Sequence, residues 1–172
     1  MRPRFELARR VARKYLRAHQ VDAPPVPVEY ILVAEGFHVE AVVYPDDTAG
    51  ESWWEGETGH LCVNRTLPPG RLRFTLAHEF GHLALRHHQL RFETAPALRS
   101  PSSHLEPAVP DLLDPVEVEA NAFAAELLMP LGWFGRDWKR KPDHRWIAQR
   151  YEVSVEAVCQ RLRSLPGDFL HR

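Results

Sequence analysis

Apolar positions recur along this chain with two periods, and they predict an alternation of helices and short strands. Phe5, Ala8, Val11, Ala12, Tyr15 and Leu16 follow the helical repeat, so Phe5 to His19 reads as an amphipathic helix with its arginines on the other face. Ala23-Pro-Pro-Val-Pro27 is a stiff connector. Val28 to Glu35 reads as a short helix stopped by Gly36. Phe37 to Tyr44 reads as a strand followed by a turn at Pro45-Asp-Asp, and Ser52–Glu55 with Gly59–Asn64 as a hairpin around Gly56 and Gly59. Arg71 to His87 has no proline and one internal glycine. Phe74, Ala77, Gly81 and Leu85 form one stripe of it and Leu72, Leu76, Phe80 and Leu83 a second, so this helix is expected to be buried nearly all round. Gly81 costs about 1 kcal/mol against alanine in mid-helix, which points to another backbone passing close by.

After residue 113 the helical period returns. Asp114 is placed as N-cap and Pro115 as first helical residue, with Val116, Ala120, Phe123, Ala124, Leu127 and Leu128 on the inward face. The connecting stretch 89–115 carries Pro96, Pro101, Pro107, Pro110 and Pro115 and no period. A segment of that length is functional or disordered, and His104 within it reads as an exposed loop histidine. Near the end, Ala148, a turn at Glu152-Val153, Ser154 as N-cap, and inward Val158 and Leu162 have helix-turn-helix spacing. The expected fold class is α+β, with residues 1–135 as the main domain and 136–172 as a helix-turn-helix-like subdomain of the same fold.

Composition narrows the classes. At 172 residues with a formal net charge of −1, the chain can build one ordinary core and has no global attraction for nucleic acid or anionic membrane. Cys62 and Cys159 match no ligand spacing and read as buried free thiols of a reducing compartment. The N-terminus carries no apolar signal segment and no stretch approaches membrane-spanning length, so a cytoplasmic protein without a membrane partner is expected.

The chemistry is concentrated at His78-Glu-Phe-Gly-His82. Two histidines four apart on a helix lie only about 40° apart, so both imidazoles can reach one Zn²⁺. Glu79, about 100° further round, is placed to act as general base on a water at that metal rather than as a ligand. A catalytic zinc takes a third protein ligand. On the helix after Asp114 the apolar face brings Glu117 within about 40° of its centre, whereas Glu119 and Glu126 fall about 120° and 140° away, toward solvent. Glu117 is therefore the first candidate and Glu119 the second. Asn121, one turn after Glu117, could orient a ligating imidazole through a hydrogen bond.

Arg73-Phe-Thr-Leu-Ala-His-Glu-Phe-Gly-His82 together with Glu117-x-x-Ala-Asn-x-Phe-Ala-Ala-Glu-Leu-Leu-Met-Pro130 resembles the ImmA/IrrE metallopeptidase family. The resemblance spans about Pro24 to Leu165. It implies a zincin-like core with a small mixed β-sheet, Zn²⁺ on His78, His82 and Glu117, and Glu79 as catalytic base. It also implies that the strand at 60–64 lies along the cleft and pairs with substrate through its backbone at Leu61 and Val63. The implied substrate is an XRE-type repressor, whose cleavage switches on stress or mobile-element genes. The radiation-response members carry a further C-terminal sensory domain, for which this chain is too short. Two other classes stay open. One is a helix-turn-helix DNA-binding regulator with a structural metal site; basic residues of 136–150 favour it and Glu156, early in the last helix, opposes it. The other is the toxin of a two-gene module. Oligomeric state is not readable.

Overall fold

The structure is a computed structural model that describes residues 2–87 and 114–165. Its described elements are α1 (Phe5–Ala18), α2 (Val28–Ala34), β1 (His38–Val42), β2 (Gly50–Glu55), β3 (Thr58–Asn64), α3 (Pro69–Ala84), α4 (Pro115–Leu128), α5 (Leu131–Arg140), α6 (His144–Tyr151) and α7 (Val155–Arg163). The architecture is α+β, as the periodicities predict. The proline-rich stretch and His104 lie, up to residue 113, outside the described residues.

Helix ends follow the expected local chemistry. Gly36, with φ of +81°, follows α2 in a left-handed conformation that costs glycine nothing. The Asp114 side chain accepts from the Val116 backbone N–H at 3.1 Å, and Pro115 opens α4. The Ser154 hydroxyl likewise accepts from Ala157 N at 3.0 Å and caps α7. α3 begins two residues before the predicted start, because Pro69 supplies a helical φ in the first turn. It ends earlier than predicted, since Arg86 has a φ of 55°.

The three strands form one mixed sheet in the order β1-β3-β2. β1 is parallel to β3, pairing Val39 with Leu61, and β2 is antiparallel to it, pairing Ser52 with Leu61 and Gly50 with Val63. This arrangement corrects the expected substrate contact. Leu61 and Val63 lie in the central strand, with both backbone edges taken by β1 and β2, so no further chain can pair there. The outer edge of β2 has no partner strand among the described residues.

One hydrophobic core joins the sheet to the helices. Leu61 and Val63 on the sheet, Phe74, Leu76, Ala77, Phe80 and Leu83 on α3, and Phe123, Ala124, Leu127 and Leu128 on α4 are all buried in it. Phe134, Ile147, Tyr151 and Val158 place the C-terminal helices in the same cluster. α1 lies along α4, through the fully buried Ala8 and Ala12. That contact overturns the expectation that Glu119 and Glu126 face solvent. Both are buried, because α1 covers that side of α4, with Arg4 just before α1 and Arg13 within it as partners. Glu126 also pairs with the buried Arg161 of α7. A buried carboxylate is tolerated only with such partners.

Candidate metal centre

α3 and α4 pack side by side and come close together at Gly81. A Cβ there would sit 3.2 Å from both Ala120 Cα and Ala120 O, and 3.1 Å from the Phe123 ring. The expected close backbone is thus α4. This approach brings Glu117, one turn before Ala120, onto the pair of histidines. His78 Nε2 lies 3.0 Å from His82 Nε2 and 3.2 Å from Glu117 Oε2, and His82 Nε2 is 3.5 Å from Glu117 Oε1.

These separations test whether the residues fit a metal ion. Donors about 2.0–2.1 Å from a tetrahedral centre stand about 3.3 Å apart, and the three observed edges bracket that length. Tautomers point the same way. Asn121 Oδ1 lies 3.0 Å from His78 Nδ1 and can only accept, so His78 donates from Nδ1 and turns the lone pair of Nε2 toward Glu117 and His82. Lone pairs converging on one point call for a cation. His78, His82 and Glu117 form the metal-capable group of His, Cys, Asp and Glu among the described residues. The set of two imidazoles and one carboxylate is the donor chemistry of a catalytic zinc with an open position.

Electrostatics hold two of the donors in ligand form. Burial drives the His82 pKa down to about 3; hydrogen bonding to Glu117 opposes that, and the His78 charge adds to it, so the ring stays neutral. Burial works against ionising Glu117, but hydrogen bonds from His78 and His82 outweigh it and hold the carboxyl well below its ordinary range. Burial also opposes charge on His78, yet the Glu117 hydrogen bond and the charges of Glu79 and Glu117 raise its pKa overall.

Glu79 is 2% exposed and reaches β2 of the sheet. Ser52 Oγ donates to Glu79 Oε2 at 2.8 Å. β2 can lie this close because Gly50 has no side chain: a Cβ there would meet Thr75 Cγ2 at 2.8 Å and Glu79 Cγ at 3.2 Å. The motif glutamate is therefore fixed against β2.

The predicted His78, Glu79, His82, Glu117 and Asn121 come together at one place, whereas Leu61 and Val63 stay in the central strand, on the sheet side of α3. Glu119 lies outside the triangle. It accepts from the Arg4 backbone N–H at 2.8 Å and from the Arg4 guanidinium at 2.8–3.2 Å, and it meets His87 Nε2 at 3.2 Å. Sequence reasoning missed Ser52 and His87. Strand alternation puts Ser52 on the same face as Trp54, but no periodicity names the helix residue it meets. His87 follows the break at Arg86, where helical spacing no longer predicts direction.

A fold neighbour is a Mycobacterium tuberculosis transcriptional regulator, with a TM-score of 0.61 and 21% sequence identity. The match covers 93% of this chain and 48% of that one, so this chain spans about half the length of the regulator. Among curated proteins none matches the chain. The family profile of the IrrE N-terminal-like domain, a peptidase family, matches residues 37–163. That span contains the donor triangle, Glu79 and the whole sheet, and the chain belongs to this family of metallopeptidases.

Proposed function

We propose that this protein is a zinc-dependent endopeptidase that makes a restricted cut in a regulatory protein, an XRE-type transcriptional repressor. The observation that carries the reading is the placement of Glu79 beside, but outside, the His78–His82–Glu117 triangle, fixed by Ser52 at the sheet edge. A closed structural site needs a fourth protein ligand and has no use for an adjacent buried base.

His78, His82 and Glu117 would hold the ion. When bound, Zn²⁺ supplies a Lewis acid that polarises the scissile carbonyl and acidifies water. The Glu79 carboxylate takes a proton from the water that adds to the carbonyl carbon. It returns that proton to the amide nitrogen as the C–N bond breaks, so the products are one carboxylate and one amine. Ser52 keeps a Glu79 oxygen in place through this exchange. An extended substrate segment would lie next to Glu79 with its backbone paired as an added strand. Strand addition selects an extended segment over folded protein, which suits a peptidase acting among intracellular proteins.

Direct reading of DNA by α7 finds no support in the packing. The backbone at Val153 and Ser154 lies 2.7 Å from where a Cβ on Gly70 would be, so the start of α7 is pressed onto α3. The groove beside it, about 800 Å³, is rimmed by Asp46, Asp47 and Glu156 with Arg71 as its cation. Base contacts would come from that end of the helix. The C-terminal helices instead offer a surface on which a repressor could dock.

The test is incubation of zinc-loaded protein with an XRE-type repressor from the same source. One discrete fragment pair is expected, lost with chelator and with Glu79→Gln. The amide is nearly isosteric but cannot take the proton, so this variant should keep its metal and fold. Full cleavage by Glu79→Gln, or general digestion of casein at a matching rate, would overturn the proposal.

A further inference from the structure

We infer that His87 is a positioning residue for the metal ligand His82, held in turn by Glu119 and Arg4. The inference rests on the metal-centre reading above and extends it beyond the donor triangle.

His82 presents Nε2 to the triangle and Nδ1 to the opposite side, where His87 Nδ1 lies 3.0 Å away. His87 thus stands behind the ligand, on the wrong side of the ring to share the ion. Its own Nε2 is 3.2 Å from Glu119 Oε2. Arg4 closes the far end with its backbone N–H and guanidinium on both oxygens of Glu119. His87 and Glu119 are 1% and 0% exposed, so water does not compete for these groups.

The direction of every proton in the chain follows from its two ends. Glu119, gripped by Arg4, only accepts, so His87 donates from Nε2 and has a lone pair on Nδ1. That lone pair accepts from His82 Nδ1–H. His82 is then left with its lone pair on Nε2, the nitrogen that faces the triangle. Which nitrogen of a histidine can ligate is set by the hydrogen bond made by the other, and such partners also raise ligand basicity. His78 receives the same service from the Asn121 amide oxygen. α4 therefore acts on His82 from both sides, through Glu117 at Nε2 and, by way of His87, through Glu119 at Nδ1. It also makes α1 part of the metal centre, since Arg4 immediately precedes that helix.

The experiment compares Zn²⁺ affinity of the full chain with those of His87→Phe and His87→Asn, by competition with a chromophoric chelator. Co²⁺ absorption reports the ligand field. Phenylalanine fills the ring volume and accepts nothing; asparagine keeps an acceptor oxygen near Nδ1. His87→Phe should bind about 10–100-fold more weakly with an altered Co²⁺ spectrum, and His87→Asn should recover most of that loss. Imidazole nitrogen NMR of the zinc-loaded parent needs no substitution. It should show His82 protonated at Nδ1 and His87 protonated at Nε2 only. Parent-like affinity in His87→Phe, or a proton on His87 Nδ1, would overturn the positioning role. A parent chain that binds no zinc would instead overturn the metal-centre reading itself.

Discussion

Glu117 and Glu119 stand two residues apart on one helix, and their neighbours separate their roles. Glu117 faces two imidazoles, whereas Glu119 faces a guanidinium and His87. Glu117→Ala should therefore lose stoichiometric zinc, and Glu119→Ala should keep one zinc per chain, bound more weakly. The second variant should lose more stability, because the buried His87 and the partly exposed Arg4 are left without their carboxylate, a cost of about 1–3 kcal/mol. Metal content after dialysis, paired with thermal melts, checks both; loss of zinc from Glu119→Ala alone would reverse the assignment. At this scale the donor triangle was legible because the period of a helix fixes which side chains share a face. The same geometry set Glu117 beside the two histidines, where the structure has it, but placed Glu119 and Glu126 in solvent. Helical angle gives direction and says nothing of what lies there. Here α1 does, and its arginines convert two outward acids into buried partners.

Two element contacts can be tested directly. Gly81 is the point where α3 meets α4, against a ring and a backbone that are fully buried and cannot easily retreat. Gly81→Ala gains about 1 kcal/mol of helix propensity but forces the helices apart, at about 1–3 kcal/mol. A net loss of about 1 kcal/mol is expected, together with weaker zinc binding, because Glu117 moves with α4. Urea titration and chelator competition measure the two effects; a variant more stable than the parent would mean the helices part easily. The second contact joins α5 to α6. The buried Tyr151 hydroxyl donates to Asp137 Oδ2 at 2.9 Å, beside Arg150 Nε at 2.6 Å. Burial, then the hydrogen bond and charge of Asp137, raise the phenol pKa above its ordinary value. A group raised on folding contributes stability that is intact below its unfolded pKa, about 10 for tyrosine, and is lost as pH climbs beyond it. Tyr151→Phe should then be less stable by about 1 kcal/mol at pH 8. The gap should narrow above about pH 10, and a gap that stays constant in urea melts there would argue against this contact. Helices were the legible elements, through caps such as Asp114 and Ser154. Strand order was not: alternation identifies β3 as a strand but cannot say that β1 returns to its other edge. The resemblance therefore put substrate pairing on a strand whose two edges are both taken.

Across the whole molecule, α1, α3 and α7 all reach α4. α3 supplies two donors of the triangle and α4 the third, while α1 and α7 reach Glu126 on α4 through Arg13 and Arg161. No helix among the described residues is long and apolar enough to cross a membrane. An ion bound by α3 and α4 together is bound by the folded chain only, so binding adds directly to folding stability. Free Zn²⁺ at 100 times its Kd adds about 2.7 kcal/mol. For a chain of 172 residues that corresponds to a Tm higher by about 5–10 °C. Chelator should remove the whole increment. Glu79→Gln should show the same rise as the parent, since Glu79 is no ligand, and Glu117→Ala should show little. Melting curves of the three proteins with and without zinc decide this without any substrate. An equal rise in Glu117→Ala would place the ion elsewhere. The first alternative would be the cross-strand pair His38 and His60, whose ring centroids are 5.0 Å apart on the sheet.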